Sequence, residues 1–103
     1  MEHMIRKYIN DNRTGKPCGM LAAAKINGLV YVTATRARVS KGDRFCKKTG
    51  NQIAIDRLIC MSNGRHSKIP ASFAEHVQPF LERCEKYYET DRIVIPDVGT
   101  FQK

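Results

Sequence analysis

Arg36, Arg38, Lys41, Arg44, Lys47, Lys48, Arg57, Arg65 and Lys68 stand in one stretch of the chain, opposed within it only by Asp43 and Asp56. Thr49, Gly50 and Asn51 follow the Lys47-Lys48 pair and read as a helix start, where backbone amides and the positive end of the helix dipole face an approaching group. Amides backed by Lys41, Arg44, Lys47 and Lys48 would make an anion pocket of backbone and side chains together, with a phosphate as its natural guest. The plainer alternative is a solvated basic face with an ordinary helix start behind it.

Other chemistries find less support. Cys46 lies between Arg44 and Lys47, a setting that favours a thiolate when the side chain is exposed. Only the fold could bring His66 or His76 to it as an orienting base. Glu82, Glu85 and Glu89 fall at helical spacing and read as a solvated acidic face rather than paired catalytic carboxylates, and His3 reads as a surface residue. Cys18, Cys46, Cys60 and Cys84 are 28, 14 and 24 residues apart, with no Cys-x-x-Cys pair and no His at zinc-finger spacing, so neither a metal site nor a disulfide framework is expected. The phosphate-loop pattern is absent as well, which speaks against nucleotide hydrolysis. The expectation is a non-enzymatic binding protein without cofactor or metal.

The elements that must position these residues are those of one domain over residues 1–103, a length with little room for a second core. The apolar fraction of 42% suffices for that core. Asn27-Gly28 accepts the positive φ angles of a type I′ turn and marks a β-hairpin. Its arms are 19–26 and 29 to about 38, and the second arm alternates Val30, Val32, Ala34 with Tyr31, Thr33, Thr35, so that one face can be buried. Residues 4–10 suit an edge strand or a frayed terminus, and 11–17 a turn-rich loop. A helix over 50–62 follows from Thr49 and Gln52 as a capping box, an Ile55, Leu58, Ile59 stripe with Ala54 and Met61 beside it, and Asn63-Gly64 as the stop. A second helix over about 70–89, starting at Pro70 or at a Ser72–Glu75 capping box, carries Phe73, Val77, Phe80, Leu81, Cys84 and Tyr87 or Tyr88 at helical spacing, and its period runs through Pro79. Ile93-Val94-Ile95 suits a short strand beside the hairpin, and the last residues should be loose. The predicted fold is α+β: a small antiparallel sheet built on the Asn27-Gly28 hairpin and covered by two helices.

Net charge is +8 overall. Residues 36–68 hold nine basic groups against two acidic ones, whereas residues 69–103 hold four against six. So local an excess is the electrostatic footprint of a protein that contacts phosphates. Phe45 among the cations and Tyr31 on the hairpin are candidate stacking residues, although Phe45 also suits a staple between helix and sheet. No stretch approaches the roughly 20 apolar residues of a membrane helix, and residues 1–7 lack the apolar core of a secretory signal, so the expected place is the cytoplasm.

Asp43, Phe45, Lys48, Gly50, Ile53, Ala54 and Arg57, preceded by a hairpin, resemble small accessory proteins of tailed bacteriophages over roughly residues 18–60. The resemblance implies expression in the cytoplasm of an infected host, and either nucleic-acid binding or the blocking of a host protein. Three readings follow: a nucleic-acid binder acting on DNA or RNA phosphates, a phage-encoded inhibitor or modulator docking on an acidic host protein, and a sensor or sequestering protein for a small phosphorylated nucleotide.

Overall fold

The computed structural model describes residues 3–11, 13, 15–37, 46–65 and 68–98. Its strands are β1 (Ile5–Asn10), β2 (Pro17–Ile26), β3 (Leu29–Arg36), β4 (Lys68–Ile69), β5 (Ile93–Val94) and β6 (Asp97–Val98), and its helices are α1 (Lys47–Ser62) and α2 (Ala74–Tyr88). Asn27 (φ 51°) and Gly28 (φ 83°) make the hairpin turn between β2 and β3 as the sequence requires. The main sheet runs β1-β2-β3-β5. It is mixed rather than purely antiparallel: β5 pairs parallel to β3, Val30 opposite Ile93 and Tyr31 opposite Val94. The β-branched triplet signals a strand but not its direction, which is set by the long crossover through both helices. β4 and β6 form a separate two-stranded parallel ladder.

The sequence predicts one buried face for the hairpin, and the structure buries both. Leu21 and Ala23 of β2 with Val30, Val32 and Ala34 of β3 join Ile5, Ile9, Ile69, Phe73, Val77, Phe80, Cys84 and Tyr88 in the core under α2. Met20, Ala22, Ala24 and Tyr31 join Ala54, Leu58 and Met61 in the core under α1. The two helices therefore lie on opposite faces of the sheet. The run Met20-Leu21-Ala22-Ala23-Ala24, helix-prone by propensity, is a strand because a sheet covered on both sides needs apolar residues at every position. The small side chains of Ala22, Ala24 and Thr33 make a flat floor that lets α1 approach through its own small residues.

That close approach rotates α1 away from the expected stripe. Gly50, Ala54, Leu58 and Met61 are buried, Ile55 is half-buried, and Ile53 and Ile59 are 38% and 44% exposed. The stripe on α2 is as predicted: Phe73, Val77, Phe80, Cys84 and Tyr88 are buried and Leu81 is half-buried, while Tyr87 faces out. The Tyr88 hydroxyl lies 3.0 Å from the Ala23 carbonyl and 2.5 Å from that of His3, tying the end of α2 to β2 and to the start of the chain.

The helix ends differ from both predicted capping boxes. α1 begins at Lys47 rather than residue 50, with extended Cys46 at the N-cap and the Gly50 N–H donating to the Cys46 carbonyl at 2.7 Å. Gln52 reaches forward to Asp56, with Nε2 to Oδ1 at 3.2 Å, instead of back to a cap. Lysines are good helix formers, and burial of Gly50 against the sheet supports the extra turn. The stop is as expected: Gly64 (φ 89°) is left-handed, its N–H donates to the Met61 carbonyl at 3.0 Å, and the Arg65 N–H donates to that of Cys60 at 3.0 Å. A 3₁₀ turn, Ala71–Phe73, opens the second helix, so Ser72 caps nothing. The tight turn delivers the Phe73 ring against Gly19 of β2, where the absence of a side chain lets a ring cross close to the backbone. α2 continues through Pro79.

Candidate functional site

Of the residues singled out for anion binding, Arg38, Lys41 and Arg44 lie outside the described residues, as do Phe45 and His66. The others divide into groups. Lys47, Lys48 and Thr49 are exposed at the start of α1, Arg57 is exposed further along it, and Arg65 and Lys68 are exposed beyond its far end. A helix of 16 residues is about 24 Å long at its rise of ~1.5 Å per residue. Lys47 and Arg65 are thus separated by the whole helix and cannot serve a single phosphate. Arg36 ends β3 on the α2 side of the sheet, in register with Gly19.

At the start of α1 Gly50 is buried and its N–H donates to the Cys46 carbonyl, the first bond of the helix itself, and no side chain caps the turn. The Cys46 thiol is exposed, and its pKa is pulled below the ordinary value by the Thr49 N–H first, then by the Thr49 hydroxyl and the Lys48 N–H, outweighing the small effect of burial. The thiol makes no capping hydrogen bond, and it shares the exposed helix start with Lys47, Lys48 and Thr49.

The structure adds residues that the sequence does not single out. α1 crosses the sheet obliquely, its first turn beside β1 and its middle over β3. Lys47 Nζ sits 4.7 Å from the centre of the Tyr8 ring, and Asn51 Nδ2 donates to the Tyr8 hydroxyl at 3.3 Å. Arg57 Nη1 donates to the Ala34 carbonyl of β3. The alternation of β1 is the signal that would have found Tyr8, since Ile5 and Ile9 belong to the α2 side and Tyr8 to the other. Tyr31, a candidate stacking residue, is buried under α1 and offers no face to a base.

The remaining chemistry-bearing groups stay apart. All four cysteines are free thiols. Cys18 is half-buried with Sγ 3.4 Å from the Ile9 carbonyl, and burial followed by the Asp11 charge raises its pKa. Burial pushes Cys84 up to about 11. His76 Nε2 is 3.5 Å from Glu75 Oε1. Glu82, Glu85 and Glu89 are exposed along α2 and its end, as expected of a solvated face. Among the described residues no cluster of His, Cys, Asp and Glu is arranged to hold a metal ion, and no helix is long and apolar enough to cross a membrane.

The two helices carry opposite charge balances. α1 carries Lys47, Lys48 and Arg57 against Asp56, whereas α2 carries Arg83 and Lys86 against Glu75, Glu82 and Glu85. No family model, no curated protein and no solved structure matches this chain.

Proposed function

We propose that the chain is a non-enzymatic binding protein whose α1 side docks on the phosphates of DNA or RNA. The observation that carries this reading is the opposite charge balance of the two helices on opposite faces of the sheet, the basic one on the α1 side and the acidic one on the α2 side. Lys47, Lys48, Arg57, Arg65 and Lys68 extend along α1 and past its end, so they suit a row of phosphates rather than one, and Arg38, Lys41 and Arg44 lie in the segment that leads into the helix. Gel-shift titrations with single- and double-stranded DNA and RNA at two ionic strengths test it. Failure to bind any of them at low salt refutes it.

A second reading is favoured by Ile53 and Ile59, exposed on the same helix among its cations. Apolar side chains ringed by charge are the anatomy of a protein interface, and the phage resemblance fits an inhibitor of an acidic host protein. Affinity purification from a nuclease-treated bacterial lysate separates the two: a protein partner that survives nuclease and is lost on Ile53→Asp supports the second.

A further inference from the structure

On the other face of the sheet, β1 and α2 border a cleft of about 410 Å³ lined by Lys7, His76, Pro79, Phe80 and Arg83. This falls within the size range of small-molecule pockets, about 300–1,000 Å³. Lys7 shares the α2-facing side of β1 with Ile5 and Ile9, so its ammonium is delivered to the α2 side of the sheet, while its exposure keeps it in reach of solvent. Arg83 comes from α2 and is anchored, one guanidinium nitrogen donating to the Arg6 carbonyl at 2.9 Å, which leaves the rest of its fork unspent. Among the described residues neither cation forms an ion pair, and no carboxylate lines the cleft. His76 brings a third polar group, backed by Glu75 on the neighbouring side. Phe80, buried, and Pro79, exposed, supply an apolar floor.

We propose that this cleft binds a phosphate monoester, the phosphate held between Lys7 and Arg83 and the body of the ligand lying on Pro79 and Phe80. Two cations, Arg83 anchored and Lys7 free to move toward it, without a lining acid match a dianion, which a phosphate monoester is near neutral pH, whereas a carboxylate would leave one cation uncompensated. The guanidinium fork suits two phosphate oxygens, and the ammonium takes a third. The ligand can be a free nucleoside monophosphate or the phosphorylated end of a nucleic-acid strand, which present the same group. The site lies across the sheet from α1 and is independent of the surface proposed above.

The probes are inorganic phosphate, adenosine 5′-monophosphate, adenosine, and a short oligonucleotide with and without a 5′-phosphate, followed by amide chemical shifts in NMR titrations of the full chain. Adenosine 5′-monophosphate, or the 5′-phosphorylated oligonucleotide alone, should shift Lys7, His76 and Arg83, adenosine should not, and Lys7→Gln should weaken binding at least tenfold. Lys7 is exposed on an edge strand, so that variant keeps its fold, and Arg83→Lys, which retains charge but loses the fork, should lie between wild type and Lys7→Gln. The first outcome identifies a free nucleotide as the source and the second a strand end. Absence of shifts with every phosphorylated probe at millimolar concentration, or binding that Lys7→Gln leaves unchanged, overturns the proposal.

Discussion

Replacing Lys47 and Lys48 together by Glu separates binding from folding, because the opposing effects on the fold nearly cancel. Removing Lys47 from the Tyr8 ring, 4.7 Å away, costs on the order of 0.5–1 kcal/mol for an exposed cation–π pair. Two carboxylates in the first turn of α1 gain about 0.3–1 kcal/mol each from the helix dipole. The melting temperature should therefore stay the same or rise slightly. Binding has no such compensation. Every phosphate that the protein no longer neutralises lowers the slope of log K against log salt by about 0.9 for duplex DNA and 0.7 for single strands, so two phosphates are worth roughly 25- to 60-fold in affinity near 0.1 M salt. Fluorescence anisotropy with labelled single- and double-stranded oligonucleotides over a salt series reads both quantities, and calorimetry reads the melting temperature. A double variant that melts normally and keeps both the affinity and the salt slope of the wild type would place the interface elsewhere.

Three further outcomes follow from the packing and the thiols. Gly19→Ala would put a methyl group on the Phe73 ring and 2.5 Å from the Thr35 carbonyl, and since strand backbone gives little, the cost should reach about 3 kcal/mol, a fall of roughly 12–24 °C in Tm. A thermal melt within a few degrees of wild type would disprove that packing. Iodoacetamide should modify Cys46 ahead of Cys18 and Cys84, because the Thr49 and Lys48 amides favour its thiolate and burial disfavours theirs; peptide mass spectrometry showing Cys84 labelled first would contradict this. Cys84, raised from its ordinary value of 9.0 to about 11, releases its proton more readily in the unfolded chain, so the stability it contributes is full below pH 9 and is lost as pH climbs toward 11. The slope is at most about 1.4 kcal/mol per pH unit for one proton and should disappear in Cys84→Ala; equal slopes in chemical denaturation of the two proteins would rule it out.

Local signals were legible wherever one residue type answers one geometric need. Asn27-Gly28 marked the turn because both residues take positive φ, and Gly64 marked the end of α1 for the same reason. The α2 stripe was legible because the helix meets a sheet face of ordinary bulk and leaves its opposite side wet. α1 was misread because its floor is made of Ala22, Ala24 and Thr33: a helix brought close by Gly50 and Ala54 buries small residues and turns Ile53 and Ile59 outward, reversing the usual inference from side-chain size. Thr49 and Ser72 fit capping-box spacing but do not cap, since Gly50 and Phe73 are drawn into the core and set the helix starts themselves. The candidate site was legible as a set of cations but not as an arrangement, because nothing in their spacing says that Lys47 and Arg65 end up at opposite ends of one helix.

The sheet is what gives these charges a direction. A hairpin with one wet face would leave basic and acidic segments to share a surface, and the excess of cations in residues 36–68 would be diluted by the carboxylates of α2. With both faces covered, the order of segments along the chain becomes a separation in space, with α1 and its cations on one side and the acidic helix on the other. Lys7 and Arg83 are cations on the α2 side, as Arg36 and Lys86 are, and these two border a cleft that no carboxylate of the described residues lines. Screening at physiological salt acts over about 8 Å, less than the roughly 20 Å that two helix layers about 10 Å from an intervening sheet must span, so neither surface feels the other's charge strongly. Lys7→Gln should therefore leave oligonucleotide affinity at the α1 side unchanged, as Lys47→Glu with Lys48→Glu should leave nucleotide binding in the cleft unchanged. Loss of both activities from either variant would mean that one continuous surface, and not two, holds the anion.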